Sequence, residues 1–198
     1  MDFTLEKEYN SLGYAVVCGT DEAGRGPLAG PVFAAACVLP TDIVIDGLND
    51  SKKLTEKKRE KLFDIIKEKA VSWCIASASV EEIDSLNILN ASQLAMRRAV
   101  EGLDIKADAV LVDGNVARDF PIKAVTVVKG DAISPSIAAA SILAKVARDR
   151  YCIEMDKEYP MYGFAKHKGY GTRDHMNAVR TYGPCPMHRM SFMSFLWK

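Results

Sequence analysis

Long apolar runs are missing from this sequence, in which no stretch reaches the roughly 18 residues that a membrane-spanning helix needs. The opening segment MDFTLEKEYN is acidic and polar, so it lacks the basic start and apolar stretch of a secretory leader. Net charge is missing too, because 26 basic residues balance 26 acidic ones while 48% of the chain is hydrophobic, which excludes intrinsic disorder. We therefore expect a monomeric cytoplasmic protein without membrane contact, folded as one domain over residues 1–198.

The cysteines form no CxxC pair, which argues against a zinc ribbon or a dithiol redox motif. Their number, five, is odd, and most of them lie inside apolar runs such as AVVCGT and AAACVL. These features predict reduced thiols in the core rather than a disulfide framework. The residues are Cys18, Cys37, Cys74, Cys152 and Cys185.

The glycine-rich stretch GRGPLAG lacks the GK[ST] ending of a phosphate-binding P-loop. It is not a dinucleotide fingerprint either, because a second apolar run follows it where a helix should start. Its backbone can still approach a ligand closely, with Arg25 held between Gly24 and Gly26. An ordinary tight turn remains the alternative.

Apolar and alternating runs bounded by turn residues predict strands, and apolar residues at helical spacing predict helices. The predicted strands cover residues 14–21, 31–40, 71–79, 108–115 and 122–131. The predicted helices cover residues 52–70 with Thr55 as the cap, 81–103 with a turn-rich end between Leu94 and Gly102, a long one that starts at Ser134 and Pro135, and 172–183. Residues 159–172 are interpreted as a surface loop. The class is α/β, with a mixed sheet between helices.

Acidic residues recur where the predicted strands stop. Asp21 and Glu22 come directly after the run AVVCGT, Asp113 after AVLV and Asp131 after AVTVVKG. Because strand ends of an open α/β sheet converge on one crevice, these carboxylates can gather there. Adjacent residues of a regular strand point to opposite faces, so we expect the strand to break between Asp21 and Glu22.

Several neighbouring carboxylates cannot all stay ionised without a cation, because like charges raise one another's pKa. Ligand sets made only of oxygen favour hard ions such as Mg²⁺ or Mn²⁺, and pairs of these ions serve phosphoryl chemistry. The four acids therefore predict a metal-dependent phosphodiester chemistry. The alternative is that each acid only caps a strand or a turn.

The end of the chain is basic, with Asp174 as the one acid after residue 165. This pattern predicts a basic, helical, substrate-binding part over about residues 160–198, and a merely solvated helix face is the alternative. The basic residues are Lys166, Lys168, Arg173, Arg180, Arg189 and Lys198.

Five sequence blocks match one family in order along the chain: DEAGRGP, LVDGN, KGDA, SIAAASILAKVARDR and YGFAKHKGYGT. The chain closely resembles bacterial ribonuclease HII. The resemblance implies a ribonuclease H-like fold, with a mixed five-stranded sheet flanked by helices and a small helical C-terminal part. It also implies an endonuclease that hydrolyses the RNA strand of RNA–DNA hybrids. Such an enzyme incises 5′ of the last ribonucleotide at RNA–DNA junctions, single embedded ribonucleotides included, and leaves 5′-phosphate and 3′-hydroxyl ends.

The same resemblance assigns residues to roles. It makes Asp21, Glu22, Asp113 and Asp131 the catalytic carboxylates, holding two Mn²⁺ or Mg²⁺ ions. Gly24, Arg25 and Gly26 would read the 2′-hydroxyl that separates RNA from DNA, and Tyr170 would stack on the sugar of the following deoxynucleotide. Lys52 and Lys53 would contact phosphates, although a solvated lysine pair fits the pattern equally well.

The tail departs from the family pattern at Cys185, where a serine is expected, and at Met190, where a basic residue is expected. Its last residues, SFMSFLWK, could form a short peptide that binds a replication clamp, with ordinary packing as the alternative. The related ribonuclease HIII is disfavoured, because about twenty residues precede Asp21 and its opening motif differs.

Two further functions stay open. A binding module without catalysis would keep the basic tail, and a DNA-specific nuclease would not need Arg25.

Overall fold

Five strands form the sheet within residues 1–196, which are the residues that this computed structural model describes. They are β1 (Val17–Ala23), β2 (Val32–Val38), β3 (Ser72–Ala78), β4 (Ala109–Asp113) and β5 (Lys123–Val127). Their order is β3-β2-β1-β4-β5. β2 pairs antiparallel with both β1 and β3, whereas β4 pairs parallel with β1 and β5. The predicted α/β class and mixed five-stranded sheet are confirmed.

Helices cover both faces of this sheet, and none of those in residues 1–196 is long and apolar enough to cross a membrane. They are α1 (Thr4–Ser11), α2 (Glu56–Lys69), α3 (Val80–Leu86), α4 (Ile88–Glu101), α5 (Pro135–Glu158), α6 (Phe164–His167) and α7 (Arg173–Tyr182). Thr55 and Ser134 cap α2 and α5 as predicted, each accepting a hydrogen bond from the first turn. Short 3₁₀ turns at Ser51–Lys53 and Gly130–Ala132 complete the part of the fold that surrounds the strand ends.

The core lies on the two sides of the sheet. α4 packs against β1, β2 and β3 on one side, and α5 packs against β1 and β2 on the other. The start of α5 sits directly on β1, because a Cβ atom at Gly19 would collide with the backbone of Ser136 and Ile137. This close approach fixes α5 beneath the strand that carries two of the predicted site residues.

The single helix predicted over residues 81–103 is wrong, because two helices meet at Asn87. Asn87 has a φ of +67°, a left-handed conformation that asparagine tolerates better than most residues. Its side chain accepts a hydrogen bond from the Asn90 backbone and so caps α4. α4 then runs through Leu94 without a turn and ends before Gly102.

α1 has no counterpart among the predicted elements. Its one buried side chain is Glu6, so α1 has no buried apolar stripe from which the sequence could predict a helix. The Glu6 Oε1 atom accepts hydrogen bonds from Ser134 Oγ at 2.6 Å and from Ser136 N at 3.1 Å. Glu6 thereby satisfies free donors at the start of α5, where a carboxylate also suits the helix dipole.

Residues 159–172 do not form the predicted surface loop. They contain α6, and both Phe164 and Tyr162 are buried in a small C-terminal core with Val179 of α7 and Met193. The prediction of a basic surface is also wrong for Arg189, which is fully buried. Lys198 lies outside the described residues.

All five cysteines are free thiols, as predicted. At the two departures of the tail, the Cys185 Sγ atom lies 3.1 Å from His188 Nδ1, and the Met190 side chain is exposed. The Met190 backbone N–H donates to Asp84 Oδ2 at 2.9 Å, which ties this part of the tail to α3.

Candidate active site

The four predicted carboxylates lie at one end of the sheet. Asp21 and Glu22 belong to β1, Asp113 ends the neighbouring parallel strand β4, and Asp131 sits in the 3₁₀ turn after β5. The expected break between Asp21 and Glu22 is wrong, since β1 pairs with β2 through both of them to Ala23. The ladder between β1 and β4 does stop at Thr20. Beyond that point the β4 side of β1 is open, and both carboxylates line the space there.

Burial and mutual repulsion perturb these acids. Burial raises the pKa of Asp21 well above its usual range, and the charges of Glu22 and Asp113 raise it further. Burial also raises the pKa of Glu22, against the opposing effect of Arg25. The pKa of Asp131 rises for the same first reason, with Asp113 adding to it and Lys52 opposing it. Burial and repulsion between neighbouring carboxylates therefore disfavour the charged forms of Asp21, Glu22 and Asp131 in the absence of a cation.

Each carboxylate has a donor from the protein. Asp21 Oδ1 accepts from Glu22 N at 2.7 Å, and Asp113 Oδ1 accepts from Gly130 N at 2.7 Å. Arg25 lies 3.5 Å from Glu22 Oε1, and Lys52 Nζ lies 3.4 Å from Asp131 Oδ2. Within residues 1–196, no three His, Cys, Asp or Glu side chains are arranged as a finished set of metal ligands. These side chains nevertheless fit a hard cation, because they offer only oxygen donors and their charges repel one another.

A cleft of about 220 Å³ joins the acids to the other predicted site residues. Among the residues that line it are Asp21, Glu22, Gly24, Arg25, Gly26, Lys52, Asp113, Lys145 and Tyr170. Asp131 does not line this cleft, and its connection to the cleft is the contact with Lys52. Lys53 is exposed and does not line the cleft, so of the two lysines only Lys52 reaches the site.

The glycine loop and Tyr170 adjoin each other where they line the cleft. Gly24 has a φ of +101°, and a Cβ atom there would collide with the Arg148 side chain. A Cβ at Gly26 would lie 3.5 Å from the Tyr170 ring. The side chains of Arg25 and Tyr170 are about half exposed. A ligand in the cleft therefore meets loop backbone and an aromatic ring next to each other.

Two buried arginines hold this loop, and the sequence patterns did not predict them as site residues. Arg189 donates to the carbonyl oxygens of Gly24, Arg25, Pro27 and Gly30 at 2.7 to 3.0 Å. Burial lowers the pKa of Arg189 to about 9, which shows how little solvent reaches it.

Arg148, also buried, donates to Ala29 O at 3.2 Å and to Lys168 O at 2.9 Å. One sequence signal for it exists, because it follows the run SIAAASILAKVA in a helix that is apolar nearly all round. An arginine at a helix position surrounded by core residues is paired in the interior, not solvated.

A pair of serines connects the 3₁₀ turn Ser51–Lys53, which carries Lys52, to the acids. Ser51 Oγ and Ser141 Oγ lie 2.8 Å apart, and a hydrogen bond from Ser141 lowers the pKa of Asp21 against the larger effect of burial. On its other side the segment is held by Arg59, which donates to Ser51 O at 3.1 Å and contacts the buried Asp149. The segment with Lys52 is therefore attached to α5 rather than free to swing.

The family profile described as ribonuclease HII matches residues 18–195 of this chain. The chain belongs to the ribonuclease HII family. Its sequence is 57% identical over 187 residues to ribonuclease HII of Acetivibrio thermocellus, a match that covers 94% of this chain and 73% of that protein. Members of the family are metal-dependent endonucleases that act on RNA–DNA hybrids, so the chain is an endoribonuclease of this class.

Solved structures show the same fold. Ribonuclease H2 from Pyrococcus horikoshii superimposes with a TM-score of 0.73 at 27% identity, covering 89% of this chain and 93% of that one. Ribonuclease HII from Archaeoglobus fulgidus, solved as a complex with PCNA, gives a TM-score of 0.72 at 24% identity, covering 89% of this chain and 95% of that chain. The ribonuclease H-like fold implied by the sequence is confirmed.

Proposed function

We propose that this ribonuclease HII incises 5′ of the last ribonucleotide at RNA–DNA junctions, including single ribonucleotides embedded in duplex DNA. Its products carry 5′-phosphate and 3′-hydroxyl ends. One observation carries the proposal: Asp21, Glu22 and Asp113 share one cleft with the glycine loop and Tyr170. A site with this composition can act on a phosphodiester and inspect the sugar beside it at the same time.

Asp21, Glu22, Asp113 and Asp131 are the proposed ligands of two Mg²⁺ or Mn²⁺ ions. When bound, such ions activate water and stabilise the leaving oxygen of a phosphodiester. The chain's own part is to hold the carboxylates from β1, β4 and the turn after β5 at fixed positions. Lys52, which now partners Asp131, is the proposed contact for a phosphate of the substrate.

The proposed reader of the 2′-hydroxyl is the loop at Gly24, Arg25 and Gly26. Arg189 engages the carbonyl groups of this loop from behind, which leaves its cleft side for the ligand. Tyr170 is exposed toward the same space, where a flat ring can stack on the next deoxyribose. A 2′-hydroxyl is both donor and acceptor, so a rigid polar loop can distinguish it from a hydrogen atom.

The proposed protein interaction is a contact with a replication clamp. It is inferred by analogy with the Archaeoglobus fulgidus enzyme, which was solved as a complex with PCNA. Phe192 packs against the core beside α4 and Phe195 packs into the C-terminal core. A clamp would therefore engage the end of SFMSFLWK, of which residues 197–198 lie outside the described part of the chain.

Cleavage of three matched duplexes tests the proposal: all DNA, DNA with one ribonucleotide, and a long RNA–DNA hybrid, each with Mg²⁺ and with chelator. We expect one cut 5′ of the single ribonucleotide, cutting of the hybrid, no cutting of DNA, and no activity in chelator. Cutting of the all-DNA duplex would identify a DNA nuclease instead. Binding of the hybrid without any cutting would identify a binding module.

A further inference from the structure

All three histidines of the chain lie together behind Tyr170, although no pattern in the sequence predicts it. The rings of His167 and His175 stack with centroids 4.4 Å apart, and those of His175 and His188 lie 5.2 Å apart. His175 and His188 are both buried. The cluster joins α6, α7 and the tail segment on the side of Tyr170 that faces away from solvent.

Hydrogen bonds assign the protons along this cluster. The Cys185 backbone N–H donates to His188 Nδ1 at 2.9 Å, whereas the Cys185 carbonyl oxygen is farther from it, at 3.3 Å, so we assign no hydrogen to this nitrogen. A neutral His188 then carries its hydrogen on Nε2, which lies 3.1 Å from His175 Nε2. At the far end, His175 Nδ1 lies 2.9 Å from Tyr170 O, and since a carbonyl only accepts, His175 Nδ1 carries the hydrogen.

The hydrogen bond at the Cys185 end and the hydrogen bond at the Tyr170 end therefore require the same pair of histidine tautomers. Donation runs from Cys185 N to His188, from His188 to His175, and from His175 to Tyr170 O. A proton added to either imidazole would place one N–H against another. The lowered pKa values of His175 and of His188, the latter about 4, agree with two neutral rings, and burial is the largest cause for both.

The end of this chain of hydrogen bonds is tied to the glycine loop. Leu28 N donates to the carbonyl of Gly169, the residue before Tyr170, at 2.8 Å. A Cβ atom at Gly169 would lie 2.7 Å from Ala29 O, so the two backbones touch. Fixing the Tyr170 main chain therefore fixes the point beside Gly26 from which its side chain extends.

We propose that His175 and His188 form a positioning relay that sets the Tyr170 ring against the glycine loop for recognition of the RNA–DNA step. The relay rests on the proposed role of Tyr170, and neither histidine touches the substrate. His188 selects the tautomer of His175, and His175 holds Tyr170 O. Removing the relay weakens binding of the single-ribonucleotide substrate and leaves the carboxylates unchanged.

Two variants at one position separate donation from mere packing. His175→Leu fills the space but donates nothing, whereas His175→Asn places an amide N–H where Nδ1 stood. On a duplex with one ribonucleotide, we expect His175→Leu to raise KM about fivefold to tenfold, the worth of one buried hydrogen bond, with kcat changed less than about twofold. His175→Asn should recover most of the loss. An Asn variant as impaired as the Leu variant would overturn the proposal.

A double-mutant cycle with Tyr170→Ala tests whether the histidine acts through the ring. In the Tyr170→Ala background, His175→Leu should raise KM no further. Equal fold-losses in both backgrounds would show a structural role only and would overturn the relay. Tyr162→Phe is the matched control for lost stability, because it removes a hydrogen bond of the same core, to Gly183 O, and keeps the ring that packs against His188 with centroids 4.8 Å apart.

Nitrogen NMR of the intact protein reads the tautomers without any substrate. We expect the hydrogen on Nδ1 of His175 and on Nε2 of His188 at neutral pH, and the opposite assignment at His175 would overturn the relay. If Tyr170→Ala leaves KM unchanged, the proposed recognition by Tyr170 fails, and with it the effect of the relay on cutting. The NMR result then distinguishes that failure from an absent relay.

Discussion

Asp113 shows at the scale of one residue how the end of a strand becomes a site. It is the last residue of β4, beside the stretch of β1 that has lost its partner on that side. Its Oδ1 atom accepts from Gly130 N at 2.7 Å, which fixes the turn that carries Asp131. One carboxylate thus has both a structural contact and a charge directed at the cleft.

Asp113→Asn separates these two contributions. The amide keeps an oxygen for Gly130 N but removes the charge of a proposed metal ligand, so we expect single-turnover cleavage to fall at least about a hundredfold. In the absence of divalent cations, the melting temperature should not fall, because one repulsive charge is gone. Asp108→Asn is the matched control: Asp108 precedes the same strand and accepts from Val16 N at 2.9 Å, far from the cleft. A near-normal rate for Asp113→Asn would mean that Asp113 only ends the strand.

The positions of the four carboxylates at strand ends could be predicted, because an acidic residue after an apolar run can be recognised in a single sequence. Arg189 and the histidine cluster were not predictable in this way. The residues next to Arg189 in the sequence do not distinguish it from a solvated arginine. Its partners, from Gly24 to Gly30, lie about 160 residues earlier in the chain, and no local pattern encodes such a pairing.

At the scale of elements, the glycine loop depends on the tail. The loop from Gly24 to Gly30 forms few hydrogen bonds of its own, and its carbonyl groups point at Arg189. The isolated bridge between Ala29 and His188 joins the same two segments. Element boundaries such as Asn87 and the whole of α1 escaped prediction for a related reason, since both depend on polar contacts rather than on apolar periodicity.

Arg189→Lys tests the dependence of the loop on the tail. Lysine keeps the charge but cannot donate to four carbonyl groups at once, and it leaves several of them buried without partners. We expect a loss of about 3 kcal/mol or more in the free energy of unfolding, together with a fall of at least about tenfold in kcat/KM on the single-ribonucleotide duplex. Arg180→Lys makes the same change on the exposed side of α7 and should alter neither quantity. Unchanged kcat/KM in Arg189→Lys would remove the loop from recognition.

At the scale of the whole molecule, stability depends on pH through the histidine pair. Burial lowers the pKa of His188 from 6.5 to about 4, so between these values the unfolded chain binds a proton that the folded chain does not. The contribution of His188 is therefore fully present above about pH 6.5 and is lost as pH falls toward 4.

Urea unfolding at pH 7.5 and pH 5 measures this loss. Relative to His188→Asn, the unmodified chain should lose about 1–2 kcal/mol more in the free energy of unfolding between the two values. The comparison with the variant matters, because the buried carboxylates shift stability in the opposite direction over the same range. Parallel pH profiles for the two proteins would contradict a neutral buried His188.

The carboxylate cluster makes the thermal stability depend on divalent cations. Burial of the charged forms of Asp21, Glu22 and Asp131, and the repulsion of each by Asp113, oppose folding. A cation that binds only the folded chain removes that repulsion and stabilises by mass action, about 2.7 kcal/mol at a hundred times its Kd. For a chain of this size we expect the melting temperature to rise by roughly 5–10 °C in Mg²⁺ or Mn²⁺. Asp113→Asn should lose most of the rise and Asp108→Asn none, at equal ionic strength. If both variants kept the full rise, the ion would bind elsewhere, and the four carboxylates would not be its ligands.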